Sequence, residues 1–187
     1  AKLGEVSITT EFGFDIVPAN RELAGAEVEL IGLKEREYRL KNALLAGHAN
    51  YDFILIDCPP ALNMLTVNGL VAADSVLIPM QCEYYALEGL SDLVETLRKV
   101  RTHLNSRLEI EGLLRTMYNA QSTLTQQVSG ELERHFGNKV YRTIVPRNVR
   151  LAEAPSYGKP VIAFDKSSKG AQAYSALARE ILERVAP

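Results

Sequence analysis

A chain of 187 residues that is 47% hydrophobic and 24% charged has the make-up of an ordinary globular fold, and no apolar run reaches the roughly 18 residues that a membrane-spanning helix needs. The formal charge is −2, yet Lys139 to Lys169 holds seven basic residues against Glu153 and Asp165, so this stretch sums to +5 and the remainder to −7. Cys58 and Cys82 share no C-x-x-C spacing and no clustered histidine, which points to reduced thiols rather than a disulfide framework or a metal set.

In chain order, Phe14–Val17 reads as a short strand ended by Pro18. Glu22 to Ile31 and Lys34 to Ala46 read as helices, with Gly32 and Gly47 as stops. Phe53–Ile56 is continuously apolar, the pattern of a strand buried on both faces. Met64 to Ala73 is helical, and Ser75–Pro79 is another short apolar strand. Leu87, Leu90, Val94, Leu97, Val100 and Leu104 keep a three-to-four spacing, so a long amphipathic helix follows. Ile110–Met117 is the next strand. Thr123 and Gln126 have the spacing of a capping box; Leu124, Val128, Leu132 and Phe136 then line one helix face, and Gly137 closes it. Val140–Val145 is a strand stopped by Pro146. Tyr174, Leu177, Ile181, Leu182 and Val185 stripe a terminal helix. Strands alternating with helices of this length predict βαβ units and a parallel sheet, the α/β class. No linker, repeat or low-complexity segment divides residues 1–187, which read as one domain.

The chemistry concentrates at predicted strand ends. Phe53-Ile54-Leu55-Ile56 runs into Asp57, where an open α/β sheet presents its ligands. A carboxylate there either serves a phosphate-bound Mg²⁺ or caps the following turn. Pro59 and Pro60 stiffen the next loop and remove two backbone donors, which suits a fixed wall beside a ligand. Asn119 and Pro146-Arg147-Asn148 follow two successive strands. A side-chain amide offers a donor and an acceptor to an adenine edge, or it closes a turn. Tyr84 and Tyr85 stand at a helix start, where paired aromatics either pack or form a stacking surface. His48, His103 and His135 are scattered and carry no chemistry. The basic stretch from Lys139 to Lys169 points to a polyanionic partner or to a solvated face. No G-x-x-x-x-G-K-[ST] phosphate loop occurs.

Pro18-Ala19-Asn20-Arg21-Glu22-Leu23-Ala24-Gly25-Ala26-Glu27 resembles the segment before the Walker B strand of ParA/Soj chromosome- and plasmid-partition ATPases. Tyr51 to Pro60 resembles their Walker B, and Val145 to Ser156 resembles their adenine-side loop. The resemblance covers essentially all 187 residues. It implies a parallel-sheet, P-loop NTPase-like fold of the deviant Walker type, with the N-terminal P-loop strand and helix lying outside this chain. It also implies a cytoplasmic, nucleoid-associated bacterial ATPase that binds ATP and Mg²⁺ and dimerises around two nucleotides. Such a protein coats double-stranded DNA nonspecifically, is stimulated by a ParB-type partner, and needs no membrane.

By the same resemblance Asp57 would be the Walker B carboxylate, meeting Mg²⁺ through water, with Pro59 and Pro60 beside it. Asn119, Pro146, Arg147 and Asn148 would surround adenine. Arg150, Lys166 and Lys169 would face DNA. Gln121 stands where some relatives carry a DNA-contacting arginine, and one cation fewer lowers the salt slope of DNA binding by about 1. The family's P-loop lysines and switch aspartate have no counterpart here, so no catalytic residue is assigned and the chain is expected to be a piece of a longer ATPase.

Three other readings stay open, one of them a metabolic deviant-Walker enzyme, which should show substrate or cluster ligands that the two separated cysteines do not offer. A MinD-like cargo-positioning ATPase would show an amphipathic membrane helix at its C-terminus, and Gly170–Val185 has few basic residues. A nucleotide-independent DNA-binding or scaffold module would use the basic stretch alone. Phosphate binding in this class rests on backbone N–H groups at a helix N-terminus and a lysine. This chain alone is therefore expected to release no phosphate from ATP–Mg²⁺; turnover above a protein-free control would refute that.

Overall fold

Three apolar runs form one sheet: β3 (Ser75–Gln81), β4 (Glu109–Tyr118) and β5 (Val140–Pro146), in the order β3-β4-β5, with β4 and β5 parallel. The computed structural model describes residues 3–46 and 51–185. These divide into two compact units. One holds the residues up to Ser75 together with Glu95–Glu109; the other holds Val76–Val94 and everything from Ile110 onward.

In the first unit, α1 (Leu3–Val6) precedes a two-stranded antiparallel ribbon of β1 (Ile8–Thr9) and β2 (Asp15–Ile16), in which Ile8 faces Ile16. Three helices follow: α2 (Leu23–Ile31), α3 (Arg39–Leu45) and α4 (Met64–Ala72). The helix expected from Lys34 begins later. Glu35 takes a left-handed backbone, and a 3₁₀ turn over Arg36–Tyr38 intervenes, so the α-helix opens only at Arg39. The expected stop at Gly47 lies outside the described residues. Two buried side-chain amides join these pieces. Asn68 accepts from the Leu40 N–H at 3.1 Å and donates to the Arg36 and Met64 carbonyls. Asn105 donates to the Leu70 and Ala73 carbonyls at the end of α4. Asn68 thereby serves the Leu40 N–H in the first turn of α3, and Asn105 serves carbonyls in the last turn of α4, groups that have no partner within their own helix.

One expectation fails here. Phe53–Ile56 forms no strand, and Leu55 is 93% exposed. A strand is made by its neighbours' ladder bonds, and among the described residues no backbone hydrogen bond reaches this segment. Apolar character without a pairing partner leaves it irregular.

The second unit holds the sheet. Leu113 and Leu114 on β4 are both buried, so this strand is covered on both faces. The long helix α5 (Ala86–His103) starts in this unit, where Leu90 is buried, and its later turns, with buried Leu97 and Val100, belong to the first. On α6 (Thr123–Phe136), Val128 and Leu132 are buried but Leu124 is not. Its cap is Ser122, whose hydroxyl accepts from the Thr125 N–H, so the capping position lies one residue before the expected Thr123. Short helices α7 (Val149–Glu153) and α8 (Val161–Phe164) lead into α9 (Lys169–Val185). Leu177 and Ile181 of α9 pack with Leu114, Tyr141 and Val145, while Tyr174, Leu182 and Val185 of the expected stripe are exposed. Pro146 does not stop β5; it pairs with Tyr118.

The β4–β5 ladder is interrupted twice. Leu113 pairs with Val140, Arg115 with Ile144, and Tyr118 with Pro146, with irregularities between each pair. The bulged stretch of β5 is held by side chains instead. The Glu180 carboxylate, from α9, accepts from the Arg142 N–H at 2.8 Å and from the Thr143 N–H and hydroxyl at 2.9 and 2.7 Å. Arg184 donates to the Val140 carbonyl and to Glu180, and lies 3.9 Å over the Tyr141 ring. Gly112 is required beside that ring, since a Cβ there would come within 2.5 Å of it.

Glu180 is 4% exposed. Burial alone would raise its carboxyl; the Arg142, Thr143 and Arg184 donors outweigh it and hold the value down at about 2, against an ordinary 4.5. A folded value below the unfolded one stabilises the fold above pH 4.5, and that contribution is lost as the pH falls toward 2. Glu180→Gln is therefore expected to cost about 2–3 kcal/mol at pH 7. Urea unfolding at pH 7, 4 and 3 should show the gap to wild type shrinking with each step.

Candidate functional site

Asp57 sits on the irregular segment that leads into α4. It is exposed and makes no hydrogen bond or ion pair with a described residue. What positions it is Gly69, in the middle of α4. A Cβ on Gly69 would lie 2.8 Å from the Cys58 sulfur and 3.5 Å from Ile56 Cγ2, so the chain rests directly on the helix. Ile56 and Cys58 turn toward α4, and in an extended chain the residue between them faces the other way. Asp57 is thereby presented outward. The Cys58 thiol is pushed up, by desolvation first and by the Asp57 carboxylate second. Pro59 and Pro60 follow, both exposed. Cys58 and Cys82 are free thiols.

In the second unit, the ends of β4 and β5 lie side by side. Tyr118 faces Pro146, and the Arg147 N–H donates to the Tyr118 carbonyl at 3.3 Å. Asn119 and Pro146-Arg147-Asn148 are thus brought to one rim. Both asparagines also close local turns. Asn119 Oδ1 accepts from the Gln121 N–H at 3.1 Å, and Asn148 Oδ1 accepts from the Arg150 N–H at 3.0 Å, capping α7. Each oxygen has one lone pair taken by its turn, and each NH₂ has no partner among the described residues. Met117, just before this rim, has φ +50, a left-handed backbone unusual outside glycine. Tyr84 and Tyr85 are 74% exposed and meet edge to face, with ring centres 5.0 Å apart.

The basic stretch is only partly free. Arg142 is paired with Glu183 at 2.7 Å, and Arg150 is paired with Glu153 at 2.8 Å and Asp165 at 3.4 Å. Among the described residues, Arg147, Lys159, Lys166 and Lys169 form no ion pair, and all four are exposed. Gly170 brings α7 and α9 together: a Cβ there would stand 2.6 Å from Leu151. Lys169 therefore opens α9 next to α7, at the end where the helix dipole is already positive.

A family model described as an AAA domain matches residues 2–110. A Pseudomonas putida protein is 58% identical over 92% of this chain and 65% of its own length. The sporulation initiation inhibitor protein Soj of Bacillus subtilis is 55% identical over 94% of this chain and 70% of its own. The chromosome partitioning protein ParA of Caulobacter vibrioides is 50% identical over 98% of this chain and 70% of its own. The chain belongs to the ParA/Soj family. It spans about two thirds of the length of these curated relatives. The structure of cobyrinic acid a,c-diamide synthase from Mycobacterium smegmatis with bound ADP and magnesium matches 96% of this chain and 66% of that one, with a TM-score of 0.79 at 33% identity. The fold is accordingly P-loop NTPase-like, with a parallel sheet in a mixed α/β arrangement.

For a ParA/Soj chain, the fit to Mg²⁺ is specific in kind. Among the described residues no three His, Cys, Asp or Glu side chains cluster to hold a metal, so an all-protein cage is not present. One unpaired carboxylate, Asp57, suits an ion that keeps its waters and takes most of its oxygens from phosphates. One residue that shapes these sites escaped the sequence reading. Gly69 had a signal, a glycine inside a helical pattern, which marks a close approach.

The capping and ligand roles of Asn148 separate by substitution. Asn148→Ala is expected to lose about 1 kcal/mol from the lost cap. Asn148→Asp keeps the acceptor and should leave thermal unfolding nearly unchanged in the same calorimetric comparison.

Proposed function

We propose that the whole protein containing this chain is a partition ATPase: an ATP–Mg²⁺-dependent homodimer that binds double-stranded DNA without sequence preference and is stimulated by a ParB-type partner. Residues 1–187 form one incomplete ATPase domain in this reading, and on their own they do not hydrolyse ATP. The protein acts in the bacterial cytoplasm on the nucleoid and needs no membrane; among the described residues no helix is long and apolar enough to cross one.

The observation that carries this reading is the rim shared by β4 and β5, with Asn119 beside Arg147 and Asn148, Arg150 on α7 and the unpaired Lys169 opening α9. Asn119, Pro146, Arg147 and Asn148 line the adenine, their free amide donors meeting its ring nitrogens. Asp57 holds a metal-bound water, with Pro59 and Pro60 as the wall beside it. Mg²⁺, when bound, supplies neutralisation of charge on the phosphate oxygens.

Arg150, Lys166 and Lys169 take DNA phosphates, joined by the positive end of α9. Arg150 exchanges its carboxylate partners for phosphate, a modest cost for an exposed pair. The whole protein carrying Arg150→Glu is expected to lose at least about tenfold in DNA affinity by fluorescence anisotropy, since one attraction becomes a repulsion. Its ATP-dependent dimerisation, followed by size-exclusion chromatography, should be intact. Retained DNA binding would move the DNA face elsewhere.

A further inference from the structure

Arg115 is a charge inside the sheet, with its side chain 6% exposed. Nothing in the nucleotide, metal or DNA reading uses it. One terminal nitrogen donates to Ser129 Oγ at 2.8 Å and to the Glu133 carboxylate, both on α6. The other donates to the Tyr141 carbonyl on β5 at 2.8 Å. Its Nε finds no partner among the described residues. Arg115 is buried while its partner Glu133 is half-exposed, so the guanidinium is desolvated against a carboxylate that water still screens, a poor way to gain stability. A registry role is the best-attested use of such a group, and the ladder around Arg115 needs one.

From the Leu113–Val140 pair to the Tyr118–Pro146 pair, β4 advances five residues and β5 advances six. An uninterrupted ladder would set Tyr118 opposite Val145 and leave Asn119 facing Pro146. The observed one-residue offset decides which face each end residue occupies, because side chains alternate. Arg115 lies between the two irregularities. It grips the bulge of β5 at Tyr141 and anchors it to α6, the helix that begins just after the Asn119–Gln121 turn.

We propose that Arg115 is a positioning residue that pins this offset, and through it the alignment of Asn119 with Pro146–Asn148 that selects adenine over guanine. The selection rests on the adenine-rim reading above. Asn119 turns its oxygen toward the Gln121 N–H, so its NH₂ is the end left to face a base. Adenine presents an acceptor at the ring nitrogen where guanine carries an N–H, so one register accepts one base and repels the other.

The test uses the whole protein with Mg²⁺ and titrates ATP, GTP and inorganic tripolyphosphate by calorimetry. Wild type should prefer ATP. Arg115→Met should bring the ATP-to-GTP ratio about tenfold closer to unity, the scale of one lost discriminating hydrogen bond, with tripolyphosphate affinity unchanged. Arg115→Lys keeps the charge beside Glu133 but cannot span all three partners, and should fall between. An unchanged ratio in folded Arg115→Met overturns the proposal. So does equal weakening of all three ligands, which is the mark of a purely structural role. Should Arg115→Met fail to fold, Ser129→Ala and Glu133→Ala each remove one arm of the clamp. Both should shift the ratio in the same direction, and no shift in either overturns it. A wild type that binds ATP and GTP equally would instead sink the adenine-rim reading itself, before any variant is considered.

Discussion

The second unit depends on how an interrupted strand is kept inside a sheet. Between Val140 and Ile144, β5 falls out of step with β4, and its backbone groups lose their regular partners. Buried peptide groups do not tolerate that. Three side chains restore the bonds. Glu180 takes the Arg142 and Thr143 N–H groups, Arg184 takes the Val140 carbonyl, and Arg115 takes the Tyr141 carbonyl. Tyr141, fully buried between them, has its hydroxyl pushed up to about 12, by burial foremost. One carboxylate and two guanidiniums thus do the work of a stretch of ladder. The β5 terminus, with Pro146–Asn148, stands on that arrangement.

Much of this was legible in the amino-acid order. The helical periods of α5 and α9, the apolar strands β3, β4 and β5, and the glycine ending α6 could all be read from local pattern. Such features are set by residues three or four apart. The failures have long-range causes. Phe53–Ile56 has the composition of a central strand, but a strand requires a neighbour, and composition cannot report whether one pairs. Tyr174 and Leu182 fit the stripe of α9, yet only Leu177 and Ile181 meet the sheet, because the buried arc is narrower than the apolar one. The Glu180 and Arg115 clamps join residues 14 to 38 positions apart, and no periodicity signals a contact of that span.

The candidate site divides in the same way. Asp57, Asn119 and Pro146–Asn148 were marked by their place after apolar runs, and the β4–β5 rim does bring the last four together. What pattern could not show is that both asparagines spend their oxygens on local turns. The two readings of each residue, turn-closer and ligand-binder, are compatible, since an amide has two ends. The turn engages the oxygen of each side chain and leaves its NH₂ without a partner among the described residues. The charge asymmetry was likewise visible, but not its partial cancellation by Glu183 at Arg142 and by Glu153 and Asp165 at Arg150.

Glu180 has one more consequence. Among the described strands, β5 ends the sheet, and a strand in that position normally offers its outer amides to any extended peptide that comes by. Here two of those amides are already occupied by a carboxylate from the chain's own last helix. The protection comes from a side chain rather than from another strand, so it rests on a single residue. Keeping that strand closed therefore hangs on α9 staying docked, and fraying of that helix would free the two amides for a strand from elsewhere.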